Sequence, residues 1–299
     1  MIFSKKSDAS SYNEFAGDYA TYISVLAAPL AAEICRIASV ESGQNILDVG
    51  SGTGVSSLVA AQKVSPNGSV IGIDFSEGML QQAQRMTTEQ QNLKFQMMDA
   101  ENLKFQDNTF DAVISLCAIL HFPNVKQALA EMFRVVKLGG KVVVSYGAGS
   151  PFAPIPSIGF KFKRAIQLFL LKYSFAPELL HRVAESRLTK ETNDNVLTEW
   201  SQNNPSKQIE TNMHAVGFTE ISQSWFGHDV EFDSAENFWR AQISIVTDIR
   251  KRVHNNELME QLRKAVLEEA NRVLNAGGKL IYPYGARYFV GTKPKSAGQ

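Results

Sequence analysis

The chain has 299 residues, 44% of them hydrophobic and 20% charged, which suits one large folded domain or two small ones. Its 30 basic and 30 acidic residues cancel, so no global field draws it to nucleic acid or to an anionic membrane. Cys35 and Cys117 lie far apart, with no CxxC and no Cys/His ligand spacing, which argues against a disulfide framework and a zinc site.

The first fifteen residues hold no long apolar core and so do not read as a secretory signal. The longest apolar stretch, residues 25–32, contains Pro29 and is too short to cross a bilayer, so a soluble, cytoplasmic chain is expected. Residues 46–49 form a short apolar run that ends in a glycine-rich turn, and Val55–Val64 follows with helical character. A β-branched run at 70–73 precedes a polar, helix-favouring stretch at 77–91. Strands are expected at 93–98 and 110–116, a helix at 125–137 capped by Gly139 and Gly140, and a fifth strand at 141–146. Repeated β-α-β units with continuously apolar strands call for a parallel sheet covered by helices on both faces.

The pattern changes after Gly147. A Gly/Pro/Ser-rich loop leads into an interrupted helical region, at about 160–200. Asn204 and Pro205 supply an N-cap and a first helical position for a helix running to about Ala215. A long strand at 218–231, two helices within 234–274 split near 254–256, and a last strand or strands at 280–284 and 287–291 complete the reading. One domain is expected: an N-terminal helical cap (1–40), a core (41–146), a helical insertion or lid (147–202) and a C-terminal part that completes the sheet (203–299).

The strongest motif is Asp48-Val49-Gly50-Ser51-Gly52-Thr53-Gly54. Glycines permit a sharp turn and close approach to a ligand, and the helix that follows offers free N–H groups. The carboxyl edge of the first strand is where open α/β sheets bind ligands. The spacing is G-x-G-x-G, and Val55 stands where a dinucleotide fingerprint has its third glycine. The carboxylate of Asp48 at the loop entry suits a ligand carrying an amine and a sulfonium better than a pyrophosphate. Asp74 ends the second strand, placed to accept from ribose hydroxyls, with Phe75 beside it to stack on a base. An ordinary βα turn, and an N-capping role for Asp74, are the plainer alternatives.

These segments resemble class I S-adenosylmethionine-dependent methyltransferases of the ubiquinone/menaquinone-biosynthesis type, over about residues 12–146. The resemblance is carried further by Asp99-Ala100-Glu101 after the third strand, by Asn108-Thr109-Phe110-Asp111, by Ser115-Leu116-Cys117-Ala118 with His121 after the fourth, and by Arg134-Val135-Val136-Lys137-Leu138-Gly139-Gly140-Lys141. Upstream, the segment around Tyr12 and Tyr19 is similar to the family's N-terminal flap. The resemblance implies a Rossmann-like, doubly wound, seven-stranded sheet that is mostly parallel with its last strand antiparallel. It also implies S-adenosyl-L-methionine as cofactor, held by Tyr19, Asp48, Gly50, Ser51, Gly52, Gly54, Asp74, Phe75, Met79, Asp99, Ala100, Glu101, Leu116 and Cys117.

Methyl transfer from a sulfonium is an in-line displacement that needs alignment and dehydration, with no metal. His121 is the candidate catalytic residue, as a base or to orient a nucleophile, with a packing histidine as the alternative. Aromatic residues of the second half, among them Phe160, Trp200, Trp225, Phe238, Trp239, Tyr282 and Tyr284, are candidates for a pocket that takes a small hydrophobic or aromatic acceptor. The basic amphipathic stretch at 160–173 reads as a lid, or as a helix lying on a membrane. A nicotinamide-dependent oxidoreductase and a non-enzymatic nucleotide-binding scaffold remain as competing functions.

Overall fold

A computed structural model describes residues 16–148, 173–175, 204–245 and 256–295. The expected helical insertion at 147–202, the basic stretch at 160–173 and the split near 254–256 therefore lie almost wholly outside the described residues, as does Tyr12. The chain divides into two compact units, one comprising 1–148, 203–226 and 285–299, the other 149–202 and 227–284.

The first unit opens with α1 (Ala16–Ile37) and then alternates β1 (Asn45–Val49), α2 (Val55–Val64), β2 (Ser69–Asp74), α3 (Glu77–Met86), β3 (Leu93–Met97), β4 (Phe110–Ser115), a 3₁₀ turn (Ile119–His121), α4 (Val125–Val135) and β5 (Val136–Gly147). It also holds α5 (Pro205–Val216) and parts of the long strands β7 (Thr219–Phe232) and β8 (Lys279–Thr292). Its strands run in the order β3-β2-β1-β4-β5-β8. The pairs from β3 to β5 are parallel, and β5 pairs antiparallel with β8 from Lys141↔Thr292 to Gly147↔Ala286. Ile46, Leu47, Asp48 and Val49 are buried along β1, as the centre of a sheet covered on both faces requires.

Local chemistry fixes the helix ends. Ser76 caps α3 by accepting from the Met79 N–H at 3.2 Å, and Asn124 caps α4 by accepting from Gln127 at 3.1 Å. At α5 the expected Asn204-Pro205 start is present, and Gly217 closes the helix at φ 109°. Two helices are shorter than expected. α3 stops at Met86 instead of 91, where the Thr87 hydroxyl turns back onto the Ala83 carbonyl at 2.8 Å. α4 stops at Val135, and Gly139 and Gly140, expected as its cap, lie inside β5. There the β4–β5 register jumps from Phe110↔Val136 to Ala112↔Lys141, and Gly139 takes φ 79° to form the bulge.

α1 also departs from expectation. Its stretch from Tyr19 to Ile37 is long and apolar enough to cross a membrane by length and composition, although residues 25–32 alone are not. In this fold Leu30, Ala31, Ile34 and Cys35 are fully buried, and the Leu30 carbonyl accepts from the Tyr288 hydroxyl at 3.1 Å.

The second unit holds α6 (Ala235–Ile245), α7 (Asn256–Asn275), the three-residue β6 (Tyr173–Phe175) and the remaining residues of β7 and β8. β6 pairs parallel with β8 from Tyr173↔Lys279 and adds an eighth strand to the seven expected, at a place read as helical. Phe238 and Trp239 are buried with Leu262, Val266, Ala270 and Leu280, so these two pocket candidates belong to this unit's core.

Candidate active site

The glycine-rich turn leaves β1 at the carboxyl edge of the sheet, and each of its glycines is required for a different reason. Gly50 has φ 72°, and a Cβ there would lie 2.4 Å from the Ala118 Cβ, so the loop after β4 closes against the bare backbone. Gly54 has φ 85°, and its Cβ would meet Phe95 at 2.8 Å and Ala83 at 3.2 Å. Gly52, at φ 53°, has nothing within 4 Å of the same position and faces open space. The turn is fixed to β2 by the amides of Gly50 and Ser51, which both donate to the Ile73 carbonyl at 2.8 and 2.9 Å.

Two aspartates flank this turn and do different things. Asp74 accepts from the Gly52 N–H on one carboxylate oxygen at 2.9 Å and from the Ser76 N–H on the other at 2.8 Å. It thereby ties the glycine turn to the start of α3. Burial pushes its carboxyl above the usual range, against those amides and against the nearby His121 charge, which pull it down. Asp48 points the other way. It is fully buried, and one oxygen accepts from the Ser56 and Ser57 hydroxyls at 2.7 and 2.6 Å. The Ser57 backbone amide also stabilises its charge. Gly54, the N-cap of α2, has no side chain to cap with, and Asp48 instead ties β1 to the first turn of that helix through the two serine hydroxyls. Asp48, expected at the ligand, is buried against these serines, and its other oxygen has no partner in this structure.

This burial raises the Asp48 carboxyl from 3.8 to about 6. A group whose folded pKa exceeds its unfolded one stabilises the fold below the unfolded value and loses that contribution as pH rises through the folded one. Wild type is therefore expected to lose about 2 kcal/mol of unfolding free energy relative to Asp48→Asn between pH 4 and pH 7. Denaturant melts of both proteins at each pH check this, and parallel profiles would contradict it.

A cleft of about 860 Å³, counting the part open to solvent, lies above the turn. Of the residues read from the sequence, Tyr19, Gly50, Gly52, Asp74, Phe75, Met79, Asp99, Ala100, Glu101, Leu116, Cys117 and His121 line it. Asp48, Ser51 and Gly54 do not; Ser51 is buried, with no partner for its hydroxyl in this structure. Ala118 and Phe122, in the stretch after β4 that carries the family resemblance, line it too, as do Ile73, Ser76, Met98 and Pro123, which were not singled out. Ile73, Ser76 and Met98 are sequence neighbours of chosen residues. Phe122 and Pro123 enter because the 3₁₀ turn, closed by the His121 amide on the Ala118 carbonyl at 2.9 Å, folds them back over Gly50.

The cleft has a polar side and an apolar side. Asp99 receives the Glu101 amide at 2.9 Å, which curls the loop after β3 toward the opening, and Phe75 keeps an exposed ring beside it. Cys117 sits at φ 55° with its amide donating to the Ser145 hydroxyl at 2.9 Å. Burial raises its thiol to about 11, so it is a neutral wall, not a nucleophile. Both cysteines are free thiols, and among the described residues no group of three or more His, Cys, Asp and Glu is placed to hold a metal.

The sequence model of the family described as "Methyltransferase domain" matches residues 40–215. A demethylmenaquinone methyltransferase of Symbiobacterium thermophilum is 38% identical over 121 residues, 40% of this chain and 48% of that protein. The chain thus spans about half the length of the curated relatives it matches. Among solved structures, the YcgJ protein of Bacillus subtilis has a TM-score of 0.51 at 17% identity, covering 89% of this chain and 98% of that one. The [4+2]-cyclase SpnF has a TM-score of 0.52 at 19% identity, covering 90% and 82%. At these identities the two structures show a shared fold.

Proposed function

The chain belongs to the methyltransferase-domain family, and from that premise we propose that it transfers a methyl group from S-adenosyl-L-methionine to a small organic acceptor. The observation that carries the proposal is convergence: the glycine turn, Asp74 and the Asp99–Glu101 loop line one cleft. The cleft fits the cofactor. It sets the carboxylates of Asp74, Asp99 and Glu101 beside apolar wall residues such as Ile73, Met79 and Leu116. Gly52 presents bare backbone to it, beside a carboxylate that suits ribose hydroxyls. The nicotinamide alternative is opposed by the glycine spacing, in which Val55 stands where a dinucleotide fingerprint has its third glycine.

When bound, the cofactor supplies a methyl already activated on a sulfonium. The chain's share is to bind, orient and exclude water. In this reading Asp74 accepts from the sugar, Phe75 covers a base face, Asp99 accepts from the base edge, and Leu116 and Cys117 wall the reacting end. His121 lies on the same wall and is the candidate to orient or deprotonate the acceptor. A hydrophobic or aromatic acceptor is supported by the curated relatives named demethylmenaquinone methyltransferase. The proposal treats the whole chain as one catalytic domain, in the cytoplasm, with no nucleic-acid partner. The balanced charge and the two free thiols support it.

The test is ligand-dependent stability. S-adenosylhomocysteine is expected to raise the melting temperature and NADH to leave it unchanged; the reverse pattern would defeat the proposal. Within it, His121→Ala is expected to lower turnover by ten- to ten-thousandfold while cofactor affinity moves little. Normal turnover at saturating acceptor would take His121 out of the chemistry.

A further inference from the structure

Residues 98–109 join β3 to β4 and carry Asp99 and Glu101 into the cleft, yet they contain no helix or strand to hold their shape. Their polar contacts lead instead to α4. Asn124, the cap of that helix, donates its amide to the Glu101 carboxylate at 2.9 Å. Gln127 donates to the Glu101 carbonyl at 3.4 Å. Glu131 accepts the Leu103 amide at 2.8 Å. Arg134 donates to the Leu103 carbonyl at 2.9 Å, to the Phe105 carbonyl at 2.7 Å and to the Asp107 carboxylate at 2.8 Å. It also meets both oxygens of Glu131, at 2.8 and 3.0 Å.

The positions 124, 127, 131 and 134 step by three, four and three, which places them on one face of the helix. The opposite face, with Val125, Ala128, Leu129, Met132 and Val135, is buried in the core. The side chains of Gln127, Glu131 and Arg134, on a rigid, packed helix, therefore run as a stripe along the loop and pair its backbone groups at residues 101, 103 and 105, while the Asn124 backbone amide holds the Glu101 carboxylate. Arg134 is the member that no other residue type replaces. Its planar fork reaches two carbonyls and two carboxylates at once, where an ammonium group has one point of charge.

We propose that this stripe, with Arg134 and Glu131 at its centre, is the positioning element that lets the loop discriminate the nucleobase of the bound nucleoside. The inference rests on the proposed cofactor reading. Asp99 as an acceptor favours a base edge that donates, as the amino group of adenine does. Hypoxanthine presents a carbonyl oxygen at that place, so two acceptors face each other and the ligand is rejected. That rejection requires Asp99 to be held still, and the stripe acts on it through Glu101, whose amide donates to the Asp99 carboxylate at 2.9 Å while Asn124 and Gln127 hold its own carboxylate and carbonyl. A loop released from α4 would move away from the wrong base and lose selectivity before it lost all affinity.

The experiment measures, by titration calorimetry, the affinities of S-adenosylhomocysteine and S-inosylhomocysteine for wild type, Arg134→Lys and Arg134→Gln. Wild type is expected to favour the adenine ligand by tenfold or more. Both variants are expected to lose most of that ratio, with the inosine ligand bound nearly as before. If Arg134→Gln does not fold, Arg134→Lys, which keeps the charge, carries the comparison. A fall by the same factor for both ligands marks a merely structural role and overturns the proposal, as does an unchanged ratio. A wild type that binds the adenine ligand without preferring it also overturns it, while leaving the cofactor reading intact. A wild type that binds neither ligand removes both.

Discussion

Asp74→Ala is expected to weaken S-adenosylhomocysteine binding by at least ten- to a hundredfold, with the protein still folded. Two losses add. The first is direct: an ionised acceptor at the strand end gives up hydrogen bonds to a sugar, worth about 1.5–3 kcal/mol, or one to two decades of affinity. The second is local. Both oxygens of Asp74 hold amides, Gly52 on one side and Ser76 on the other, so the variant frees the turn that presents bare backbone to the cleft. Asp74→Asn separates the two. An amide keeps one oxygen to accept with, so it can hold one of those two N–H groups while giving up the charge, and it is expected to fall between wild type and Ala. Calorimetry on the three proteins reads the order directly. An affinity for Asp74→Ala equal to that of wild type would show that this carboxylate serves only the loop.

The cofactor half of the site was legible because its signals are local. A glycine turn after an apolar run, and an acid at the end of the next one, are adjacent in sequence to the groups they serve. The same locality made Val55–Val64 and the Asn204-Pro205 helix start readable, since a cap and the residue it caps lie within one turn. What failed was direction. In a strand buried on both faces, hydrophobic alternation does not tell which side Asp48 takes, and the structure turns it toward Ser56 and Ser57. Gly139 and Gly140 look like a helix cap because glycine serves both caps and bulges. The choice was made by Lys293, just past the end of β8, whose carbonyl accepts the Gly139 amide at 2.7 Å from far along the chain. The α4 stripe shows the same limit from the other side. Its spacing is plain in the sequence, but the loop it holds is known only once the sheet brings β3 and β4 into place. The family resemblance reached the first half of the chain, where the glycine turn, Asp74 and the Asp99–Glu101 loop lie. The acceptor side had no such motif, and two of its aromatic candidates, Phe238 and Trp239, proved to be core.

The largest effect on the fold is expected from Gly50→Ala, and its contrast with Gly52→Ala tests the account of the glycine turn. At residue 50 a methyl group would overlap Ala118, with Phe122 just beyond at 3.6 Å, and the backbone is left-handed. Left-handed backbone costs an alanine about 1–2 kcal/mol, and overpacking a closed site adds about 1–3 kcal/mol. The sum is a large part of a domain's total stability. The variant should melt well below wild type and lose cofactor binding, because the loop after β4 that carries Cys117 and His121 must move to admit the methyl. Adding Ala118→Gly removes the overlap but not the backbone strain, so the double variant should recover the overpacking share and no more. At residue 52 the backbone is also left-handed but the added methyl meets no protein atom. Gly52→Ala should therefore cost only the backbone strain in melting temperature, while its methyl fills space that a ligand needs and affinity falls sharply. Thermal melts and calorimetry on the same four proteins distinguish packing from ligand approach. If Gly50→Ala and Gly52→Ala lost stability and affinity in the same proportion, the turn would be acting as a single flexible hinge, and the separate reasons assigned to its glycines would not stand.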